Sequence, residues 1–466
     1  MKKQLGIVGM GVMGRSLARN WAKSGHSLSL YNRYVSGSEE GVALALTQQF
    51  VELGQAAAYE ELTDFVTSLE QPRKVVLMVT AGPAVDELIG ELRPLLQPGD
   101  LIIDAGNAHY LDTERRMSIL SAHKINMLGL GVSGGEEGAL TGASLMAGGT
   151  PSAYALAEHF LKSIAAKTPT GDLTLKHIGP GGSGHFVKMV HNAIEYAEMQ
   201  AIAEAFEFMH TLMGLDYEAI AQVFEAWNDT TQQSYLLEIS SRILRTKDEQ
   251  GYVIDRIADR AAYNQTGAAT LVEGALWGAP LSMVVSALFA RFISNKKAQR
   301  QELAQYAERS AGVVSVSPDE LKQAYAFTRI LNHYQHFEMI ASFSERLGWK
   351  VNLSDLCAVW SSGCIIRSTL LQQLMPKVEG QLSALFDTAI RADLFAQKHS
   401  VKKVISAAME NDLPLSSMQA ALIYYQQLTQ EQSSAALVQA QRDYFGAHGV
   451  YLKQSAENLT FYSWPK

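Results

Sequence analysis

Two cysteines in 466 residues, Cys357 and Cys364, are too few for a disulfide framework. No Cys/His cluster has metal-ligand spacing either, so no metal is expected. Long apolar runs are missing as well. The most membrane-like stretch, residues 279–289, meets Arg291 well short of the about 20 apolar residues that a span requires, so no membrane association is expected. Excess positive charge is absent: the formal net charge is −8, which argues against a general nucleic-acid surface but leaves room for a local basic pocket holding a phosphorylated metabolite. The opening MKKQLGIVGMG runs straight into a strand with no apolar signal region or cleavage site, and a cytoplasmic, soluble protein is expected.

What is present is enough apolar material, 47% of residues, for two or more cores. Buried-strand runs at 4–8, 27–31, 74–80, 101–104 and 126–132, with a sixth candidate at 144–147, alternate with helical patterns at 13–24, 84–96, 112–123 and 152–166. Strands spaced by helices imply a parallel sheet with crossover helices, so an α/β Rossmann-like domain is expected over 1–178. Past Pro180 the patterns become long, helical and rich in Ala, Leu, Met and Gln, with no convincing strand to about residue 429. This predicts an all-helical domain over 179–435. It reads as a diverged duplication: Gly214 leads to Trp227 in one copy and Gly348 to Trp360 in the other. The second copy opens on Ser317-Pro318-Asp319-Glu320, a capping box with proline at the first helical position. Residues 436–466 form a tail whose Tyr444, Phe445, Tyr451, Phe461, Tyr462 and Trp464 need something to bury against, and a partner subunit is the expected candidate.

Gly9-Met10-Gly11-Val12-Met13-Gly14 follows a strand and opens a helix, the context in which GxGxxG lets backbone approach a pyrophosphate at a helix N-terminus. The second strand then ends Asn32-Arg33-Tyr34 with no carboxylate for a ribose 2′-hydroxyl, whereas Arg33 suits a 2′-phosphate; NADP is the expected cofactor. Two polar glycine-rich loops follow later strands, one at 104–109 containing Asn107, the other at 131–138 containing Ser133, Gly134 and Gly135. Within 185–208, Lys188, His191, Asn192, Glu195 and Tyr196 share one helical stripe, which offers a proton acceptor, a proton donor and several hydrogen-bonding groups to one oxygen-rich ligand. A solvated helix face with incidental ion pairs is the competing reading.

GMGVMG at 9–14, DAGNAH at 104–109, GVSGGEEGA at 131–139, GHFVKMVHNAIEY at 184–196, FAR at 289–291, GCIIRS at 363–368 and QRDYFGAH at 441–448 occur in one order. In these motifs the chain resembles the 6-phosphogluconate dehydrogenase family, the decarboxylating enzymes of the pentose phosphate pathway, over nearly its whole length. The resemblance implies NADP-linked oxidation at carbon 3, loss of carbon dioxide and release of ribulose 5-phosphate. It makes Lys188 the base and Glu195 the acid. It places Asn107, Ser133, Gly134, Gly135, His191 and Asn192 on the carboxylate and hydroxyls. Tyr196, Arg291 and, from a partner subunit of a homodimer, Arg442 and His448 fall around the phosphate. The cofactor side takes in Val79, Thr80 and Ala81 with the glycine loop and Asn107.

Two segments depart from the family pattern. Where the family carries QKGTGKW, this chain has Tyr263-Asn264-Gln265-Thr266-Gly267-Ala268-Ala269; Asn264 and Ala268 replace both lysines while Thr266 remains. Thr80 replaces a cofactor-side lysine. Losing one cation from a phosphate pocket costs about 1–3 kcal/mol of binding. Three readings follow: the same substrate held by Arg291, Arg442 and Tyr196; a different sugar acid with a less charged end; or an inactive dinucleotide-binding paralogue.

Overall fold

The computed structural model describes residues 1–306, 314–380, 382–455 and 457–464. The expected helical stretch at 307–313 and 381, and tail residues 456, 465 and 466, lie outside the described residues.

Eight strands form one sheet: β1 (Leu5–Val8), β2 (Leu28–Tyr31), β3 (Ala57–Tyr59), β4 (Lys74–Leu77), β5 (Leu101–Asp104), β6 (Asn126–Ser133), β7 (Ser144–Gly149) and β8 (Leu175–Gly179), in the order β3-β2-β1-β4-β5-β6-β7-β8. β1, β2 and β5 are buried at every position, because helices cover both faces, and this is why they read as unbroken apolar runs. β3 and β8 were not expected. β3 is a three-residue, half-buried edge strand built on alanine, and β8 carries Lys176 and His177, so neither shows a buried-strand signature. The parallel expectation also needs one correction: β7 runs antiparallel to β6, with register Leu130 to Ala147. The short helix Gly135–Thr141 is all that joins them, too little chain for the crossover a parallel pair needs. The strand expected over 74–80 stops at Leu77, since Met78–Thr80 turns out to line a cleft.

The rest of the described chain is helical apart from two minimal hairpins, one of them in the tail, where Val450–Tyr451 pairs antiparallel with Leu459–Thr460. Lys247–Asp248 and Gly251–Tyr252 pair as a minimal antiparallel hairpin inside the region expected to hold no strand. It is exposed, charged and turned by Gly251 at φ 102°, too short to show any period. Two long helices, Ser183–Thr211 and Pro318–Leu347, cross the domain, and the second has the capping box between Ser317 and Glu320. They are joined by a fully buried ion pair, Arg329 Nε to Glu198 Oε1 at 2.8 Å. Removing either partner would strand a buried charge at about 3–5 kcal/mol.

The two segments read as copies meet at Ser234 and Ser368. Ser234 and Ser368 are the N-caps of helices Tyr235–Arg245 and Thr369–Leu374. They form an antiparallel bridge to each other, with Tyr235 N–H donating to Arg367 O and Thr369 N–H to Gln233 O, both at 3.1 Å. Trp227 and Trp360 are both buried. No helix among the described residues is long and apolar enough to cross a membrane.

Candidate active site

β1 delivers the glycine loop. A Cβ at Gly14 would lie 1.9 Å from Gly9 O, so only glycine lets helix Val12–Lys23 start this close to the strand end. The helix N-terminus at Gly11 has no capping side chain, and its first-turn N–H groups remain for an anion. A Cβ at Gly11 would meet nothing within 4 Å; it would project into open space instead. That space is a trough made of two adjoining cavities of about 340 and 560 Å³ that share Gly11, Met78, Val79 and Thr80. One end holds Gly9, Met10, Asn32 and Arg33; the other holds Val12, Met13, Gly14, Ala81, Asn107, Val132, Asn264 and Thr266. The glycine cradle and free helix terminus fit a dinucleotide's pyrophosphate. Tyr34 does not line the trough. It is 56% exposed, and its hydroxyl reaches Glu40.

Behind Val132 stands the polar stripe. Every residue from Ser183 to Ile194 is buried, so the solvated-face reading fails: Lys188, His191 and Asn192 are 6%, 0% and 4% exposed. β6 can pack against the stripe only because of Gly131, where a Cβ would lie 2.6 Å from the Lys188 Cβ. Gly131→Ala is expected to cost about 1–3 kcal/mol through overpacking and to push Lys188 aside. A lowered Tm with reduced turnover is the expected result; an unchanged pair of values would contradict the contact.

Lys188 Nζ lies 3.4 Å from His191 Nδ1, which is 3.1 Å from Asn192 Oδ1 and 3.8 Å from Glu195 Oε2. On its other edge, His191 Nε2 meets Ser133 Oγ at 3.0 Å and Cys364 Sγ at 2.9 Å. Burial pushes the Lys188 ammonium below its usual range, against the opposing pull of Glu195. Burial likewise raises Glu195, opposed by Lys188 and Arg291. His191 is held well below its ordinary value, by burial first and by Lys188 second, so it is neutral. Desolvation thus favours the uncharged forms of an amine and a carboxyl on one face, the combination a proton-transfer pair needs.

Asn192 Nδ2 donates to Thr266 Oγ1 at 2.8 Å, which ties the stripe to helix Gln265–Trp277. Asn264 is the N-cap of that helix: its Oδ1 accepts from Thr266 N–H at 3.2 Å, so its side chain is spent on capping. Ala268 packs against the helical core. The Tyr196 hydroxyl accepts from Asn264 N–H at 2.7 Å, and the Arg291 guanidinium stacks 3.8 Å over the Tyr196 ring while donating to Ala262 O at 2.9 Å. Gly134 and Gly135 turn the loop after β6 at φ 123° and 63°.

Arg442 and His448 are not brought to this site. They sit exposed on helix Ala435–Gly446 and the turn after it, and among the described residues neither hydrogen-bonds to the stripe. The tail is organised instead by Asp443, which accepts from Gly449 N–H, Tyr462 N–H and Trp464 Nε1 at 2.7, 3.1 and 2.9 Å.

Sequence reasoning missed two contributors. Cys364 reads as a small buried residue, yet its thiol touches both His191 and Ser133. Glu273 accepts from the Tyr110 hydroxyl at 2.9 Å and lies 3.4 Å from His109 Nε2, clasping the 104–109 loop to the helix that presents Thr266. GCIIRS was a signal for the first; a lone carboxylate on an alanine-rich helix is no signal for the second.

A nucleotide trough over the carboxyl ends of parallel strands, closed by a helical domain bearing a buried amine–carboxyl stripe, defines a Rossmann-type dehydrogenase with an all-helical second domain. The comparisons narrow it. The "NAD binding domain of 6-phosphogluconate dehydrogenase" model matches residues 4–179, and "6-phosphogluconate dehydrogenase, C-terminal domain" matches 184–464. The chain is 38% identical to the decarboxylating 6-phosphogluconate dehydrogenase of Staphylococcus epidermidis over 472 residues, covering 100% of this chain and 99% of that one. It is 38% identical over 474 residues to the Escherichia coli enzyme of that name, covering 99% of each. Among solved structures, Plasmodium falciparum 6-phosphogluconate dehydrogenase, described apo, with NADP+ and with 6-phosphogluconate, superposes with a TM-score of 0.91 at 31% identity, covering 99% of this chain and 100% of that one. The chain belongs to the 6-phosphogluconate dehydrogenase family.

Proposed function

We propose that the protein oxidatively decarboxylates 6-phosphogluconate to ribulose 5-phosphate and carbon dioxide with NADP. The observation that carries this is the Lys188–Glu195 face behind the dinucleotide trough, with Lys188 6% exposed and the Glu195 side chain 21% exposed. NADP, when bound, supplies the hydride acceptor. Neutral Lys188 takes the proton of the 3-hydroxyl as carbon 3 is oxidised, and the 3-keto acid loses carbon dioxide because the ketone accepts the electron pair. Protonated Lys188 then stabilises the enolate oxygen, and Glu195 delivers a proton to gluconate carbon 2, which becomes carbon 1 of ribulose 5-phosphate. Ser133, Gly134, Gly135, Asn107, Asn192 and the neutral His191 hold the carboxylate and hydroxyls. Tyr196 and Arg291 face the phosphate, with Thr266 and Asn264 at the edge of that pocket. We divide the chain into units at 1–178, 179–435 and 436–466, and assign the reaction to the cytoplasm. The same reading makes the active assembly a homodimer, in which the partner subunit's tail supplies Arg442 and His448.

The test is to mix protein, NADP and 6-phosphogluconate and follow reduced-nicotinamide absorbance with carbon dioxide release. Both should rise together; reduction without gas release, or neither, counts against decarboxylation. A second reading, a sugar acid with a less charged end, is favoured by the capping role of Asn264 and the packed Ala268, which leave Arg291 as the cation beside Tyr196. Running phosphorylated and unphosphorylated aldonates side by side divides the two.

The pair also sets a pH dependence. Both active forms, neutral Lys188 with protonated Glu195 and the reverse, hold one shared proton, so the two groups titrate as a unit. Activity is lost as pH falls and the pair gains a second proton, and lost as pH rises and the last one leaves. kcat/KM should therefore be bell-shaped, with the falling limb set by a carboxyl–amine pair rather than by an unperturbed lysine. A profile that climbs without a falling limb would remove Glu195 as an acid.

A further inference from the structure

The strand end Asn32-Arg33-Tyr34 lacks a carboxylate in sequence, but the fold returns one. Val35 and Glu39 close a tight loop through a backbone bridge, with Glu39 N–H donating to Val35 O at 2.8 Å and Val35 N–H to Glu39 O at 3.1 Å. This places the Glu39 carboxylate against both residues of the strand end. Asn32 Nδ2 donates to Glu39 Oε2 at 2.9 Å, while Asn32 Oδ1 accepts from Met10 N–H in the glycine loop at 3.1 Å. Arg33 Nη2 donates to Glu39 Oε1 at 3.1 Å. Glu39 therefore shares the adenosine end of the trough with Arg33, and Glu87 and Glu91 line that end too. Its hydrogen bonds from Asn32 and Arg33 keep it an anion.

Arg33 is the one Lys or Arg among the described residues lining this cavity, against three carboxylates. A 2′-phosphate can engage the guanidinium only by displacing Glu39, and it brings its own negative charge among the carboxylates. A free 2′-hydroxyl meets the opposite situation: Glu39 is an acceptor for it, and the Arg33–Glu39 pair can stay in place.

We propose that Glu39 is a specificity-determining residue that competes with the 2′-phosphate for Arg33, so that the protein binds NAD as well as NADP. This rests on the dinucleotide reading of the trough given above. The test is calorimetric titration of the full-length protein and of Glu39→Gln with NADP+ and NAD+, without sugar acid, so that turnover plays no part. The wild type should bind both, with dissociation constants within about tenfold, since an exposed ion pair and one hydroxyl contact are each worth little. Glu39→Gln should bind NADP+ about fivefold more tightly and NAD+ a few-fold more weakly, a movement in opposite directions. Equal weakening of both would mean that Glu39 only orders the loop, and an unchanged ratio or one shifted toward NAD+ would overturn the proposal equally. A wild type that binds neither nucleotide would instead overturn the dinucleotide reading of the trough.

Discussion

A Lys188→Met protein should bind NADP with unaltered affinity and fail to reduce it in the presence of 6-phosphogluconate, with kcat lower by about 10²–10⁴, the contribution of a positioned general base. Lys188 lies on the helix behind the trough rather than among the residues that line the nucleotide's glycine loop, so cofactor affinity and turnover are expected to separate. Stability supplies a second readout. Lys188 is 6% exposed in a buried run of helix, and methionine fills similar volume without a charge to desolvate. The variant should melt no lower than the parent. Near-normal turnover would remove the proposed base, and loss of turnover with a collapsed Tm would mean that the lysine matters for folding rather than chemistry.

The second large effect concerns the tail. Arg442→Ala with His448→Ala should raise the KM for 6-phosphogluconate by about 10²-fold or more, since each lost charged hydrogen bond is worth about 1.5–3 kcal/mol. The side chains are exposed in the single chain, so their removal should leave Tm nearly unchanged. Tyr444, Phe445 and Phe461, at 63%, 73% and 65% exposed, give the tail an apolar surface suited to a partner. Complementation decides whether the partner's tail is used. Lys188→Met has a dead site and a good tail; the double variant has a good site and a dead tail. Refolded or exchanged together, twofold heterodimers should regain activity in roughly a quarter of all sites. A mixture no more active than its two components would show that each chain uses its own tail or none.

Much of the site was legible because its chemistry is local in sequence. The stripe from Lys188 to Tyr196 lies on one helix, so its spacing alone aligns the side chains, and GMGVMG sits at a strand–helix junction whose geometry three glycines dictate. Buried strands with both faces covered announce themselves as apolar runs. The edge strand β3 does not, and neither does β7's reversal, which follows from how little chain joins it to β6.

The composition, the helical stripe, the glycine loop and the duplicated helical pattern were determined by residue order, because each is a matter of period or of backbone freedom over a few neighbours. Tertiary structure alone decided the rest. It removed Lys188 and Glu195 from water and so shifted their protons. It put Cys364 against His191 and Glu273 against His109 across large sequence separations. It also turned Glu39 back onto Arg33, where the strand end had none of the acid expected of an NAD site. Desolvation and through-space pairing depend on what else arrives at a point, and no local pattern in the chain encodes that.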